Sequence, residues 1–572
     1  MLRARTRLVQ AAALLAAAPF LSPDASALPA EGTRGEGPVS ADHRAPPPGA
    51  PCTATVEGLL EEARTLAGRD EPEAAAALLV QALLMCPDHP DALADLAGLR
   101  ILQGELTEGE ALASRLVEVR PQAPHAWELL ALARFLQDDA HGALRAWNQA
   151  GRPRVRDVAI QLLDPLGARE ATVGTPPLPP GGLAPGQVLT VEGLIRGERR
   201  LAALPAADRA RLGYRMVPGG EAAVEGTVVL GGGNPFTRAD LVGHGLRLAV
   251  RRIHVVSADP LGRLERWDLT ASMDGSLRRA AFALAHPAPG NHGAWRWGVE
   301  YHAGRYWSGE AESPVRERRA GVRWSHTDWV TSTVKGSLDG RLDLRPGRGT
   351  FAGVGTAWTF LPVTPRGALG ARATGWVRVG GNDTGDPERL HGRAEVRGVF
   401  HAVRPRTRRP DQEGHRAGQG RRAVGLDLRG GAVLISGGSP PDLAPRIGSG
   451  GNTDILMRAR SDLDSGGVVR PPLPGHAWVH GGVEALVPAL ALGPVELGVA
   501  VFADGAGVVS HGSLPSAGGR KGALHLGAGV RGRLPWMDGT LRADWAIDPS
   551  PGTSTFSVAW VRVHGLHRLS AH

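Results

Sequence analysis

The spacing of apolar residues changes twice along the chain. From Thr53 to about Pro165 apolar positions recur at intervals of three and four and β-branched residues are few, so this stretch is expected to be helical. From about Gly243 the period is two. Trp295, Trp297, Val299 and Tyr301 alternate with Arg296, Gly298, Glu300 and His302. Val424, Leu426 and Leu428 alternate with Gly425 and Asp427, and Val495, Leu497, Val499 and Val501 with Glu496, Gly498 and Ala500. Leu541, Ala543, Trp545 and Ile547 alternate with Arg542 and Asp544. This pattern predicts about 15 strands over residues 243–565. Between the two regimes lie a Pro/Gly-rich linker, residues 166–187, and a mixed segment, residues 188–231. In that segment Val188–Leu194 reads as a strand and Glu198–Leu212 as one or two short helices. Tyr214–Val217 and Ala222–Leu230 read as a hairpin turning at Pro218-Gly219-Gly220.

The helical stretch repeats at an offset of 34 residues: Ala77, Leu83, Pro87 and Pro90 correspond to Ala111, Val117, Pro121 and Pro124, and Leu96 to Leu130. Trp127-x-x-Leu130 resembles the start of a tetratricopeptide unit. About three tetratricopeptide-like hairpins over residues 53–165 are expected, with the small Ala77 and Ala111 allowing close helix approach. The alternative is an ordinary Ala/Leu helical bundle. Such an α-solenoid offers a concave surface for peptides or partner proteins and carries no chemistry itself. The order strand–helix–helix–strand–strand over 188–231 resembles a POTRA domain, the periplasmic module that precedes some outer-membrane barrels; a barrel-proximal linker with a hairpin is the alternative.

The N-terminus bears on the strands. Residues 1–27 read as a secretory signal peptide, with Arg3, Arg5 and Arg7, an apolar stretch from Leu8 to Leu21, and Ala25-Ser26-Ala27 as a cleavage pattern. Residues 28–52 read as a flexible leader. In an exported protein the two cysteines, Cys52 and Cys86, are expected to form a disulfide. A long exported run of alternating strands is the signature of a transmembrane β-barrel, apolar residues facing lipid and charges facing a wet lumen. The expected fold is thus multidomain α + β: an N-terminal α-solenoid, a small α/β POTRA-like segment, and a C-terminal transmembrane antiparallel β-barrel of about 14–16 strands. A large soluble β-sandwich or propeller is the alternative.

Residues 430–563 carry motifs in an order that resembles the BamA/TamA superfamily, also called bacterial surface antigen proteins. Val499-Ala-Val-Phe-Ala-Asp-Gly-Ala-Gly507 contains Phe502 and Asp504. Leu526-Gly-Ala-Gly-Val-Arg531 contains Gly527, Gly529 and Arg531. Gly539-Thr-Leu-Arg-Ala-Asp544, after Leu534-Pro535, contains Arg542 and Asp544, and Thr555–Trp560 fits the closing strand. Leu456-Met-Arg-Ala-Arg460 sits where the family's sixth extracellular loop carries a Val-Arg-Gly-Phe-type motif. The resemblance implies that the loop arginine, Arg458, folds into the lumen and meets Asp504 or Glu484, with Arg460 beside it. Position 484 faces opposite Val479 and Val483, as that pairing needs. The alternative leaves Arg458 and Asp504 as solvated loop and turn residues. Ala459 stands where the family has Gly, Arg460 where it has an aromatic, and the chain ends in a polar tail, Leu566–His572.

Composition adds little to this picture. The 572 residues include 79 Gly, 45 Pro and only 5% aromatics, and the net charge is +8, with all but two of the 65 basic residues Arg. The Arg excess runs through the whole chain, so it points away from a nucleic-acid partner. Seven arginines between Arg404 and Arg422 form a loop cluster, and Asn382–Asp386 reads as a hairpin tip. No Gly-x-Ser-x-Gly, P-loop, His-Glu-x-x-His or dinucleotide fingerprint is present, so neither enzyme activity nor a cofactor or metal is expected. The resemblance implies a protein of the bacterial outer membrane with periplasmic N-terminal domains. It would contact outer-membrane lipid, insert, assemble or translocate protein clients, and hold a partner or client through its repeats. The alternative function is an export pore for polysaccharide or surface lipoprotein, since such exporters also join tetratricopeptide repeats to a barrel.

Overall fold

The computed structural model describes residues 54–163, 170–171, 183–231, 251–289, 292–307, 313–346, 349–364, 367–380, 389–404, 424–435, 445–448, 455–459, 465–469, 476–492, 495–510, 522–533, 540–550 and 552–561. The signal peptide, the leader, Cys52, Arg460, the Asn382–Asp386 tip and most of the Arg404–Arg422 cluster lie outside the described residues. Cys86 is disulfide-bonded.

The first apolar period folds into six helices in three antiparallel hairpins: α1 (Ala54–Gly68) with α2 (Pro72–Met85), α3 (Pro90–Leu102) with α4 (Leu106–Val119), and α5 (Pro124–Leu136) with α6 (Ala140–Gln149). Proline opens α2, α3 and α5, where its missing N–H costs nothing. Asp139 caps α6 by accepting from Gly142 N at 2.8 Å. The small residues that let the helices close are not the expected pair, since Ala77 and Ala111 are exposed. Ala75, Ala82 and Ala113 are fully buried, and a Cβ on Gly109 would lie 2.7 Å from Ile101 Cγ1. The 34-residue offset finds the repeat, but only the hairpin crossing decides which small residue lies in it.

Two expectations about the next segment are corrected. Arg154–Leu163, assigned by periodicity to the last helix, is a strand, β1. A bulge between Val155 and Asp157 breaks its alternation, so Val155 and Val158 stand three apart and mimic a helix. Val188–Leu194 is not a strand: Thr190 accepts from Gly193 N at 3.0 Å and starts α7 (Val191–Ala202). Glu198–Leu212 splits, because β3 (Ala207–Val217) begins just after that helix; β4 (Glu221–Leu230) completes the hairpin. A four-stranded sheet results, with β1 parallel to β4, β3 antiparallel to β4, and β2 (Glu170–Ala171) at the edge. Among the described residues the α/β unit therefore has one helix, and it draws its first strand from ahead of the linker. The linker's end is also held: Leu183 is buried in the core, and Val155 N donates to Gln187 O at 2.7 Å.

The third hairpin packs on this sheet through Phe135, Trp147 and Tyr214, whose rings lie 5.6–6.5 Å apart, and Tyr214 donates to Ala140 O.

The alternating region forms one antiparallel sheet. Its path runs β5 (Arg252–Ala258), β6 (Arg266–Asp274), β7 (Leu277–Pro287), β8 (Ala294–Tyr306), β9 (Val315–Trp329), β10 (Val334–Arg345) and β11 (Gly349–Phe360). It continues through β13 (Gly367–Gly380), β14 (Arg389–Arg404), β15 (Val424–Ile435), β18 (Ala477–Leu492), β19 (Val495–Ser510), β20 (Gly522–Arg533), β21 (Thr540–Asp548) and β22 (Thr553–Val561). That path holds 15 strands among the described residues, with the two-residue β12 (Val363–Thr364) paired beside β13. The longest separation in sequence between neighbours on this path is between β15 and β18, residues 436–476.

The sheet curls. Thr555, on β22, donates to Ala459 O at 2.8 Å, while Ser276 N, in the β6–β7 turn, donates to Gly467 O at 2.7 Å. Laid flat, the 12 strand spacings from β22 to β7 would span ~58 Å. The eight residues from Ala459 to Gly467 reach at most ~29 Å. Its two faces are inverted relative to a water-soluble protein. Val299, Leu342, Val354, Val501, Trp545 and Phe556 are exposed on the outside, whereas Asp343, Arg378, Asp504, Arg531 and Asp544 are buried inside. None of the described helices is long and apolar enough to cross a membrane.

Helix α7 docks onto one end of the sheet. Arg199 Nη1 donates to Leu361 O at 2.8 Å and to Ser332 O, its guanidinium lies 4.7 Å from the Trp329 ring, and Arg200 pairs with Asp328 at 2.5 Å. Burial pulls the Arg199 guanidinium below its ordinary pKa, with nearby Glu198 opposing. Arg199→Ala strips a donor from two carbonyls, a loss of about 2 kcal/mol. Hydrogen exchange should quicken across α7 and the β9–β10 turn, with β18–β21 protected as before.

Candidate functional site: an arginine inside the curled sheet

The described parts of the segment between β15 and β18 lie against the inner face. There β16 (Ile447–Gly448) and β17 (Ile455–Leu456) pair in parallel, and Ile447, Ile455 and Met457 pack with Val433, Trp478 and Val508. This apolar anchor delivers the next residue, Arg458, to the wall, where its relative exposure is 1%.

Three carboxylates surround the guanidinium. Arg458 Nη2 bonds Glu484, Nε lies 3.4 Å from Asp504 Oδ2 and 3.7 Å from Asp544 Oδ2, and the group sits 3.8 Å over the Phe502 ring. Alternation places each partner inside: Glu484 opposes exposed Val479 and Val483, Asp504 follows exposed Val501, and Asp544 precedes exposed Trp545. The acids are shared further. Arg531 Nε donates to Glu484 Oε1 at 2.8 Å and its Nη1 to Asp544 Oδ1 at 2.6 Å. Arg542 Nε lies 3.3 Å from Asp544 Oδ2, and Arg429 bonds Asp504. A buried charge survives only when it is paired and hydrogen-bonded, and here each carboxylate meets at least two guanidiniums.

Two glycines clear the space. Gly527 faces Phe502 across the ladder, and a Cβ there would lie 2.5 Å from Phe502 Cζ and 2.3 Å from Trp545 O. At Gly529 it would lie 2.3 Å from Asp544 Oδ1 and 2.5 Å from Ala543 O. Of the four residues expected in the lumen, Arg458, Glu484 and Asp504 come together and Arg460 lies outside the described residues; the six motif positions Phe502, Gly527, Gly529, Arg531, Arg542 and Asp544 gather around them.

Sequence reasoning missed three contacts. Ala459 N donates to His525 Nδ1 at 3.0 Å, Thr555 Oγ1 donates to Ala459 O, and Arg429 holds Asp504. Exposed Leu524 and Leu526 betray an inward His525. Which loop atom it meets is a long-range matter without local signal. Ala459 itself is buried against Phe502 and Ala546.

Comparison with known proteins bears on the two ends of the chain unequally. Residues 66–133 match the tetratricopeptide repeat family. The match spans α2, α3, α4 and most of α5, so the repeat there is of the tetratricopeptide kind, a class that generally mediates protein–protein interactions. No curated protein matches the chain. Among solved structures, the globular C-terminal domain of P. aeruginosa LpoP is similar at 32% identity over 18% of this chain and 98% of that one, with a TM-score of 0.17. The Sgt2 TPR domain from Aspergillus fumigatus is similar at 30% identity over 17% of this chain and 65% of that one, with a TM-score of 0.17. BamA from Haemophilus ducreyi lacking POTRA domains 1–3 aligns at 13% identity over 72% of this chain and 84% of that one, with a TM-score of 0.38.

The glycine geometry makes a sharp comparison. Gly529→Ala forces a methyl into a carboxylate and a carbonyl and should cost about 1–3 kcal/mol. Gly375→Ala, where a Cβ meets nothing within 4 Å, should cost far less. Thermal unfolding midpoints of the two variants in detergent check this.

Proposed function

We propose that the sheet closes into a transmembrane barrel in the bacterial outer membrane and that the protein inserts, assembles or translocates other proteins there. The observation that carries this reading is the inverted sheet with Arg458 at the centre of its inner ion-pair network. In water such a sheet would expose its apolar face without cover; in a bilayer that face is solvated and closure satisfies the edge strands. The motif order of residues 430–563, which resembles the BamA/TamA superfamily, supports the same reading.

In this account Arg458 latches the inward segment to the barrel wall. The signal peptide exports the chain, and the tetratricopeptide repeats stand in the periplasm and hold a partner or client. The α/β unit serves as a POTRA-like coupling between repeats and barrel. The barrel's first and last strands form a weak seam, an edge able to template a client strand through main-chain hydrogen bonds. The work requires no catalysis and no cofactor.

Outer-membrane fractionation and heat-modifiable gel mobility test closure: the unboiled protein should migrate apart from the boiled one, and identical mobility would sink the barrel. Conductance in a planar bilayer tests the latch. The wild type should be nearly silent and Arg458→Ala should open it. A wild-type channel that is already open and indifferent to the substitution would overturn the assembly reading in favour of an export pore.

A further inference from the structure

Arg458 and Ala459, adjacent in the chain, between them reach every strand from β18 to β22. Arg458 meets β18, β19 and β21 through Glu484, Asp504 and Asp544. The other two strands are met by the main chain of Ala459. Its N–H donates to His525 Nδ1 on β20 at 3.0 Å, and its carbonyl accepts from Thr555 Oγ1 on β22 at 2.8 Å. Its side chain is buried with Phe502 of β19 and Ala546 of β21.

The ring of His525 is set for this contact. His525 is completely buried. With an amide N–H directed at it, Nδ1 must offer its lone pair, so the ring proton sits on Nε2. Nε2 faces Asp548 Oδ2 at 3.6 Å, and Asp548 Oδ1 accepts from Ser550 N at 3.2 Å in the β21–β22 turn. The carboxylate thereby favours the tautomer that Ala459 requires.

A hold of this kind matters most at β22, where the path of the sheet ends. Among the described residues β22 is laddered along one edge, to β21. We propose that the main chain of Ala459 clamps this terminal strand from the inner face, with His525 as the positioning residue that fixes Ala459 and Thr555 as the tie on β22. Arg458 holds the inward segment to the wall, and Ala459 holds the terminal strand to that segment. The consequence for a seam rests on the assembly reading above: β22 moves away from the wall to take a client strand only after Thr555 lets go of Ala459. The clamp itself needs no client.

Hydrogen exchange of the full chain in detergent tests it, read over residues 455–459 and 553–561. His525→Leu and Thr555→Val should each quicken exchange in both segments ~10-fold, as the loss of one buried hydrogen bond would, with β10 and β11 unchanged. His525→Asn should stay as slow as the wild type, because its side-chain oxygen can replace Nδ1 as acceptor. Asn puts nothing in place of Nε2, so its rescue assigns the effect to Ala459 rather than to Asp548. The double variant His525→Leu with Thr555→Val should fall short of the product of the single effects, since both act through one residue. Thr555→Val, nearly isosteric, decides the matter if His525→Leu does not fold. Unchanged exchange in Thr555→Val, or His525→Asn faster than the wild type, would overturn the clamp. Gel mobility checks the barrel separately, so the clamp and the assembly reading can fail independently.

Discussion

The arginine at position 458 is buried where an unpaired charge would be intolerable, and much of the C-terminal architecture is arranged around that fact. Three carboxylates from three different strands must reach it, so β18, β19 and β21 have to present Glu484, Asp504 and Asp544 to one point. Antiparallel neighbours do this only if the sheet is strongly curved. Curvature in turn needs small residues where side chains crowd the inner face, and Gly527 and Gly529 stand there. Each acid also serves a second guanidinium, so none of the three depends on Arg458 alone for its counter-charge.

The same constraint reverses the usual sense of burial. With the charged face turned inward, the alternating residues on the other face must be apolar and exposed, as at Val499, Val501, Leu526 and Trp545. The described parts of the segment between β15 and β18 add contacts on the inner face. They meet β20 and β22 at Ala459, and β8 and the β6–β7 turn at Val469 and Gly467. Contacts so distant along the sheet tie its N-terminal and C-terminal strands together without passing through the ladder.

The N-terminal parts join the sheet through named side chains. The third helical hairpin shares the aromatic cluster of Phe135, Trp147 and Tyr214 with the α/β unit. The α/β unit in turn reaches the sheet twice: Arg199 and Arg200 grip the end of β9, the β9–β10 turn and Leu361, and Ala258 at the end of β5 and Leu264 in the β5–β6 turn enter its core. A partner bound to the repeats is thereby linked through a continuous set of packed contacts to strands β5, β6, β9 and β10.

Local pattern alone determined much of this protein. A period of three to four marked the helices, the 34-residue offset marked the repeat, and a period of two marked the strands and told which residues of β18, β19 and β21 face together. The reason is that these features depend on backbone geometry within a few residues. Local pattern misled where a bulge shifted the phase of β1, and where a cap at Thr190 turned an apolar run into α7. It could not tell that Ala113, rather than Ala111, lies in a helix crossing, that His525 takes the Ala459 amide, or that Arg199 reaches across to Leu361. Those pairings join residues far apart in the chain. Only the curvature of the sheet and the crossing of packed elements bring them within bonding distance.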